Sequence, residues 1–368
     1  MFPLLIMCAG KQRVWVLSVW RLRRLVMNKL LIGTAAALLV TPAVAGPVAV
    51  TVGGYYNSVV YSQDADMYET RDLGIHNDAE IIFKGKGKTK NGIEIGFQVQ
   101  LEAEGSGESD YIDENYIYAK GDFGKVEIGA ENNAAYKQQV TAPKFLGWKT
   151  YDNNFKTWSK VSSFDKPLMD GVEGDALKIN YYSPKVNGFQ ISYSVTPDAR
   201  DTSGDSALYL DDGEVDSDGD VVTKGSSTAL GLKYTGKIAG MKVKASYGIN
   251  ELDEDTGVAP REDTAFGLSV SSGAVTVGGT MFTKDADGEE TDILHYAIAY
   301  KLSKATQVGL MMHNQEAPSG DETNITVLGG STKIGSGAKL TYSYEMVEDD
   351  NPQKGDSTFM GVGLLLKF

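Results

Sequence analysis

From Val48 onward the chain repeats one pattern, a run of about ten residues that alternates in polarity followed by a break. Between Gly92 and Glu102, Ile93, Ile95, Phe97, Val99 and Leu101 fall on one face, and Glu94, Gly96, Gln98, Gln100 and Glu102 on the other. A period of two is strand geometry, because successive side chains of a strand point to opposite sides. The pattern returns at 125–131, 176–182, 189–195, 241–249, 291–302, 337–346 and the C-terminus, giving about sixteen segments in all. An even number of such segments suits a closed antiparallel barrel.

The breaks alternate too. One set is short and poor in acid, at 86–92, 120–124, 183–188, 235–240, 271–273, 302–306 and 335–337. The other is longer and rich in acid, at 62–72, 198–224, 251–263, 285–292 and 347–356. Tight turns at one end and long loops at the other are the asymmetry of a barrel that crosses an outer membrane. A soluble sandwich or propeller would also supply many alternating strands. The faces decide between them: Glu94, Lys178, Lys242, Lys244 and Lys339 mark the polar sides, while Val, Ile, Leu and Tyr fill the others. An apolar exterior in lipid around a polar lumen accounts for that pattern. The expected fold is an all-β transmembrane antiparallel barrel of about 16 strands.

The first residues have another character. Residues 27–45 carry a basic start at Lys29, an apolar run from Leu30 to Val40, and small residues Ala43 and Ala45 before a cleavage point. This reads as a secretory signal peptide. Residues 1–26 read as an upstream-start artefact with Met27 the initiator, an unusually long signal or anchor being the alternative, and 46–368 as the barrel. Residues 1–45 hold six basic groups and no acid, so their removal leaves 29 basic groups against 49 acidic and a net charge of −20. Such a chain does not bind nucleic acid through its phosphates. The single cysteine, Cys8, lies in the removed part, so the mature chain has no disulfide.

One break departs from the rhythm. Ala134 to Asp175 holds Trp148 and Trp158, with Phe145, Phe155 and Phe164. A loop this long and aromatic belongs inside the barrel rather than in water.

At this point the chain resembles the trimeric general porins of Gram-negative outer membranes. The resemblance rests on "ENYIYAKGDFGKVEIGAENNAAY" (114–136), "LKINYYSPKVNGFQISYSV" (177–195), "KGKTKNGIEIGFQVQLE" (86–102) and the terminal Phe368, and covers essentially the whole mature chain. It implies a sixteen-stranded barrel with an inward-folded third loop (134–175), associated as a homotrimer. The implied function is a passive, water-filled channel for small hydrophilic solutes and ions, with no cofactor and no chemistry. A solute-specific channel or an adhesin built on the acidic loops is the alternative.

The resemblance further implies a constriction where acidic groups of the loop face basic groups of the wall, since opposite charges in a narrow passage focus the field. The loop offers Asp152, Asp165, Asp170, Glu173 and Asp175. Strand parity sets Lys84, Lys178, Lys242 and Lys244 on the lumen side, with Arg71 near the outer mouth. Many members of the family carry an arginine shortly before the third loop, where this chain has Ala130 and Glu131. Only Arg71, Arg200 and Arg261 remain in the mature chain, and its net negative charge implies a cation-attracting mouth.

Other features carry weaker chemistry. Asp216, Asp218 and Asp220, and the run 285–290, resemble fragments of calcium loops without the full spacing or closing glutamate. They would hold calcium loosely, solvate the surface, or bridge lipopolysaccharide through divalent ions. His76, His295 and His313 are the only histidines, and no nucleophile elbow or zinc motif accompanies them; His295 is a hydrolase candidate in principle only. In the last eight residues, Val362, Leu364, Leu366 and Phe368 are expected to face lipid, and Gly361, Gly363, Leu365 and Lys367 the lumen. By resemblance, Gly363, Leu366 and Phe368 form the terminal signal read by barrel-assembly machinery.

Overall fold

A computed structural model describes residues 48–66, 69, 72–103, 112–146, 165–171, 173–199, 225–253, 259–351 and 355–368. Residues 1–45, expected to form an upstream start and a signal peptide, lie outside the described residues, as do Arg71, Trp148, Asp152, Phe155, Trp158, Phe164, Asp216, Asp218 and Asp220.

Sixteen antiparallel strands run in chain order and close on themselves. They are β1 (Ala49–Ala65), β2 (Gly74–Lys88), β3 (Glu94–Glu102), β4 (Ile112–Gly121), β5 (Gly124–Ala130), β6 (Leu177–Tyr182), β7 (Phe189–Thr196) and β8 (Ser227–Ile238). The circuit continues through β9 (Met241–Leu252), β10 (Arg261–Ser272), β11 (Val275–Ala286), β12 (Glu289–Lys301), β13 (Thr306–Glu316), β14 (Glu322–Gly335), β15 (Ala338–Asp349) and β16 (Ser357–Lys367). Among the described residues one short helix, α1 (Ala134–Gln138), opens the segment between β5 and β6.

The register preserves the two faces around the whole circuit. Lys84 of β2 stands opposite Gln98 of β3, which stands opposite Tyr116 of β4, so polar residues meet polar residues on the inside. On the outside, Val50, Val52, Val60, Ile117, Leu230, Phe266, Leu294, Ile298, Leu328 and Val362 are exposed. In water that surface would be a liability, whereas in a bilayer it is the solvated face. Closure leaves no strand edge with unpaired backbone groups, which lipid could not satisfy.

The acidic stretch 285–292, expected as a long outer loop, is a tight hairpin instead. Only Asp287 and Gly288 separate β11 from β12, at φ 58° and 83°. Asp-Gly supplies the two left-handed residues that such a turn needs. Asp285 accepts a hydrogen bond from the Gly288 amide at 2.8 Å, so this carboxylate caps the turn rather than opening a calcium loop.

Candidate functional site

The segment from Glu131 to Ala176 is the third long connection, and its described parts are packed inside the barrel. Asn133 caps α1 by accepting from the Tyr136 amide at 2.8 Å. Beyond the cap, inward-pointing hydroxyl and amide groups of the far wall hold the loop backbone. Ser194 of β7 accepts from the Ala134 amide at 2.6 Å, and Ser246 of β9 from the Val140 amide at 2.8 Å. Thr280 of β11 donates to the Val140 carbonyl at 3.1 Å, and Ser331 of β14 to the Phe145 carbonyl at 2.8 Å. The loop therefore follows the wall from β7 to β14.

Glycines make that close approach possible. Gly309 and Gly329 lie under the Phe145 ring and the Leu146 side chain, where any Cβ would collide with them. Phe145 and Leu146 are fully buried, in one cluster with Val59, Met311, Ile325, Val327 and Phe359. Met169, on the returning part of the loop, is buried with Ala135, Ala265, Phe282 and Ile293. Fully burying a side chain of this size contributes about 1.5–3 kcal/mol, so the loop is seated by its own apolar content.

Two residues expected to line the passage serve this seating instead. Lys178 does point inward, as parity requires, but only 3% of it is exposed. Its ammonium donates to the carbonyls of Glu131, Gly174 (2.8 Å) and Ala176. It ties the two ends of the loop together, because three carbonyls that leave regular pairing converge on one cation. Glu173 is 2% exposed and accepts from Asn133 and Asn250, each at 2.9 Å, so it clamps the loop to β9.

Among the described residues the other expected acids, Asp165, Asp170 and Asp175, are half-buried. Asp165 pairs with Lys284 of β11 at 3.1 Å, and its amide donates to Gln315 of β13 at 2.6 Å. Asp170 lies 3.8 Å from Lys166. Burial pushes the Asp170 carboxyl up to about 6, against the pull of Lys166 and Arg261. Burial also raises Asp175, helped by the charge of Asp113 and opposed by Lys178. Of the expected basic groups, Lys84 lines a cavity of about 420 Å³ on the lumen side of β1 to β4, together with Thr51, Lys86, Gln98, Tyr116 and Tyr118. Lys242 and Lys244 are exposed, further down β9 towards its tight turn.

Further charged groups enter the site that the sequence did not assign to the constriction. Lys137 of α1 reaches Glu127 at 3.1 Å and Glu131 at 2.7 Å, over the face of Tyr116. Burial disfavours its charge, yet the two carboxylates raise its pKa above the ordinary lysine value. Glu131 thus fills the place of the absent arginine with a paired carboxylate. Arg261 forms a two-point bond with Asp263 at 2.7 and 2.8 Å. Parity along 261–271 carries the signal for that pair, but Arg261 and Asp263 fall within what the sequence presents as an outer loop. His295 packs edge-on against His313 at 5.6 Å on the lumen face, and both are buried.

Comparison with known proteins follows this geometry. Uncharacterised proteins of Rickettsia prowazekii and Rickettsia conorii are 29% and 30% identical over 117 and 113 residues. Those matches take in 26% and 24% of this chain and 26% and 25% of theirs, so the chain spans about a quarter of the length of these curated relatives. Among solved structures, an anion-selective porin from Comamonas acidovorans superposes with a TM-score of 0.64 at 13% identity, covering 87% of this chain and 100% of that one. The trimer form of OmpT from Vibrio cholerae does so with 0.60 at 14%, covering 88% and 100%. These likenesses show the fold. The model of the Gram-negative porin family matches residues 33–352, and the chain belongs to that family of outer-membrane channel proteins.

Proposed function

We propose that this porin passes small hydrophilic solutes and ions passively, that its acidic outer mouth gives it a modest preference for cations, and that it works as a homotrimer in contact with outer-membrane lipid and lipopolysaccharide. No cofactor takes part and no reaction is catalysed. One observation carries the reading: a loop bearing Asp165 and Asp170 is fixed inside a closed polar lumen, along the wall from β7 to β14. A loop so placed narrows the water path, and its carboxylates lower the energy of a cation there. The trimer is supported by the trimeric form of the similar Vibrio cholerae protein.

Purified protein in planar bilayers tests this. Stepwise conductance in groups of three is expected, with a zero-current potential of cation-selective sign in a potassium chloride gradient. A silent bilayer overturns the channel. Conductance that saturates with one solute replaces free diffusion by a specific site.

A further inference from the structure

The charges that line the lumen are sorted along its axis. At the tight-turn end, Lys237 and Lys242 stand directly opposite one another across β8 and β9, and Lys333 and Lys339 across β14 and β15. Lys244 lies two residues further up β9, and Lys367 ends β16 on the same inner face. Among the described residues none of these six lysines has a carboxylate within ion-pair distance. They act on other lysines instead: Lys233 sits in the field of Lys244 and Lys185, and Lys339 in that of Lys367 and Lys333. Of the inward acids, Asp263 and Asp349 stand at the opposite end beside the long loops, while Glu94 at the tight-turn end is paired with Lys86 at 2.8 Å.

Like charges placed directly opposite across a ladder destabilise a sheet. Two such pairs on separate parts of the wall, with no neighbouring acid, are costly for the fold and call for a role in the lumen. We propose that the tight-turn mouth is an anion-concentrating lysine belt in series with the acidic outer vestibule. The pore then conducts unequally in its two directions and holds small multivalent anions at the belt. A cation-rich section joined to an anion-rich section is filled with carriers by one sign of voltage and depleted by the other, because each wall charge draws its own counterion.

The proposal rests on the channel reading, and the full mature protein tests the two separately. Currents are recorded at both voltage signs at about 0.1 M salt, where the screening length is about 10 Å, and at about 1 M, where it is about 3 Å. Unequal currents at low salt that become equal at high salt are expected. Inorganic pyrophosphate added from the tight-turn side should reduce the low-salt current more than from the other side. The triple variant Lys237→Gln, Lys242→Gln, Lys244→Gln should lose part of both effects, and the corresponding triple arginine variant should keep them. Folding of each variant is read from its heat-dependent mobility on gels. Conductance with a symmetric low-salt response, or a pyrophosphate effect undiminished by the glutamine changes, overturns the belt while leaving the channel intact. Absence of conductance overturns both.

Discussion

Gly54 and Phe368 exchange both of their backbone hydrogen bonds, at 3.1 and 3.2 Å, and the Phe368 ring lies over the position a Gly54 side chain would occupy. The last residue of the chain is thus a rung of the seam where β1 meets β16, and its ring, 69% exposed, faces lipid. A glycine on one strand and an aromatic ring on the next fill one site between them, which closes the barrel without a frayed end.

Deleting Phe368 is expected to lower the yield of heat-resistant barrel in outer membranes, while the channels that do assemble conduct as before. Gel mobility of membrane fractions, with and without heating, measures it. An unchanged yield would remove Phe368, and with it the proposed Gly363, Leu366 and Phe368 signal, from assembly.

Gly309→Leu should force Phe145 off the wall. Overpacking of this kind costs about 1–3 kcal/mol, and the loop, pushed off its apolar seat against β13 towards the pore axis, should obstruct the pore more. Single-channel conductance should therefore fall while the barrel still resists heat. An identical conductance would contradict the path given to the loop.

Lys178→Met strips a cation from three carbonyls at the loop's ends. Each buried acceptor left unpaired costs about 1–3 kcal/mol, so unfolding should occur at lower temperature and the current should become noisier. A variant with wild-type melting and a quiet current would show that the lysine does not bind the loop ends together.

The pH dependence follows from Asp170, whose carboxyl is raised to about 6, and from Asp175, raised in the same sense. A raised carboxyl favours the neutral group in the folded chain. Its support for the seated loop is full below the ordinary aspartate range, about 3.9, and is lost as the pH climbs through about 6. The loop's negative charge has the opposite course, present above that value and lost below it. Cation preference, read as the zero-current potential in a salt gradient, should fall on acidification through about 6, and Asp170→Asn should flatten that part of the curve. A potential that ignores pH across this window excludes Asp170 from the selectivity.

Much of this architecture was written in local pattern. Alternation with a period of two, interrupted alternately by tight turns and long loops, determined the barrel, its strand number and the inward or outward face of residues such as Lys84, Lys242, Leu365 and Phe368. Each of those properties depends only on immediate neighbours along the strand. The same parity put Lys178 and the loop position put Glu173 among the pore-lining charges, and there the tertiary structure decided otherwise. Whether an inward charge meets water depends on what the third loop covers. That path is set by contacts between residues far apart in the chain, Val140 with Ser246, Phe145 with Ser331 and Asp165 with Gln315. No period in the sequence encodes those meetings, because they depend on how one irregular segment fits the wall of a closed sheet.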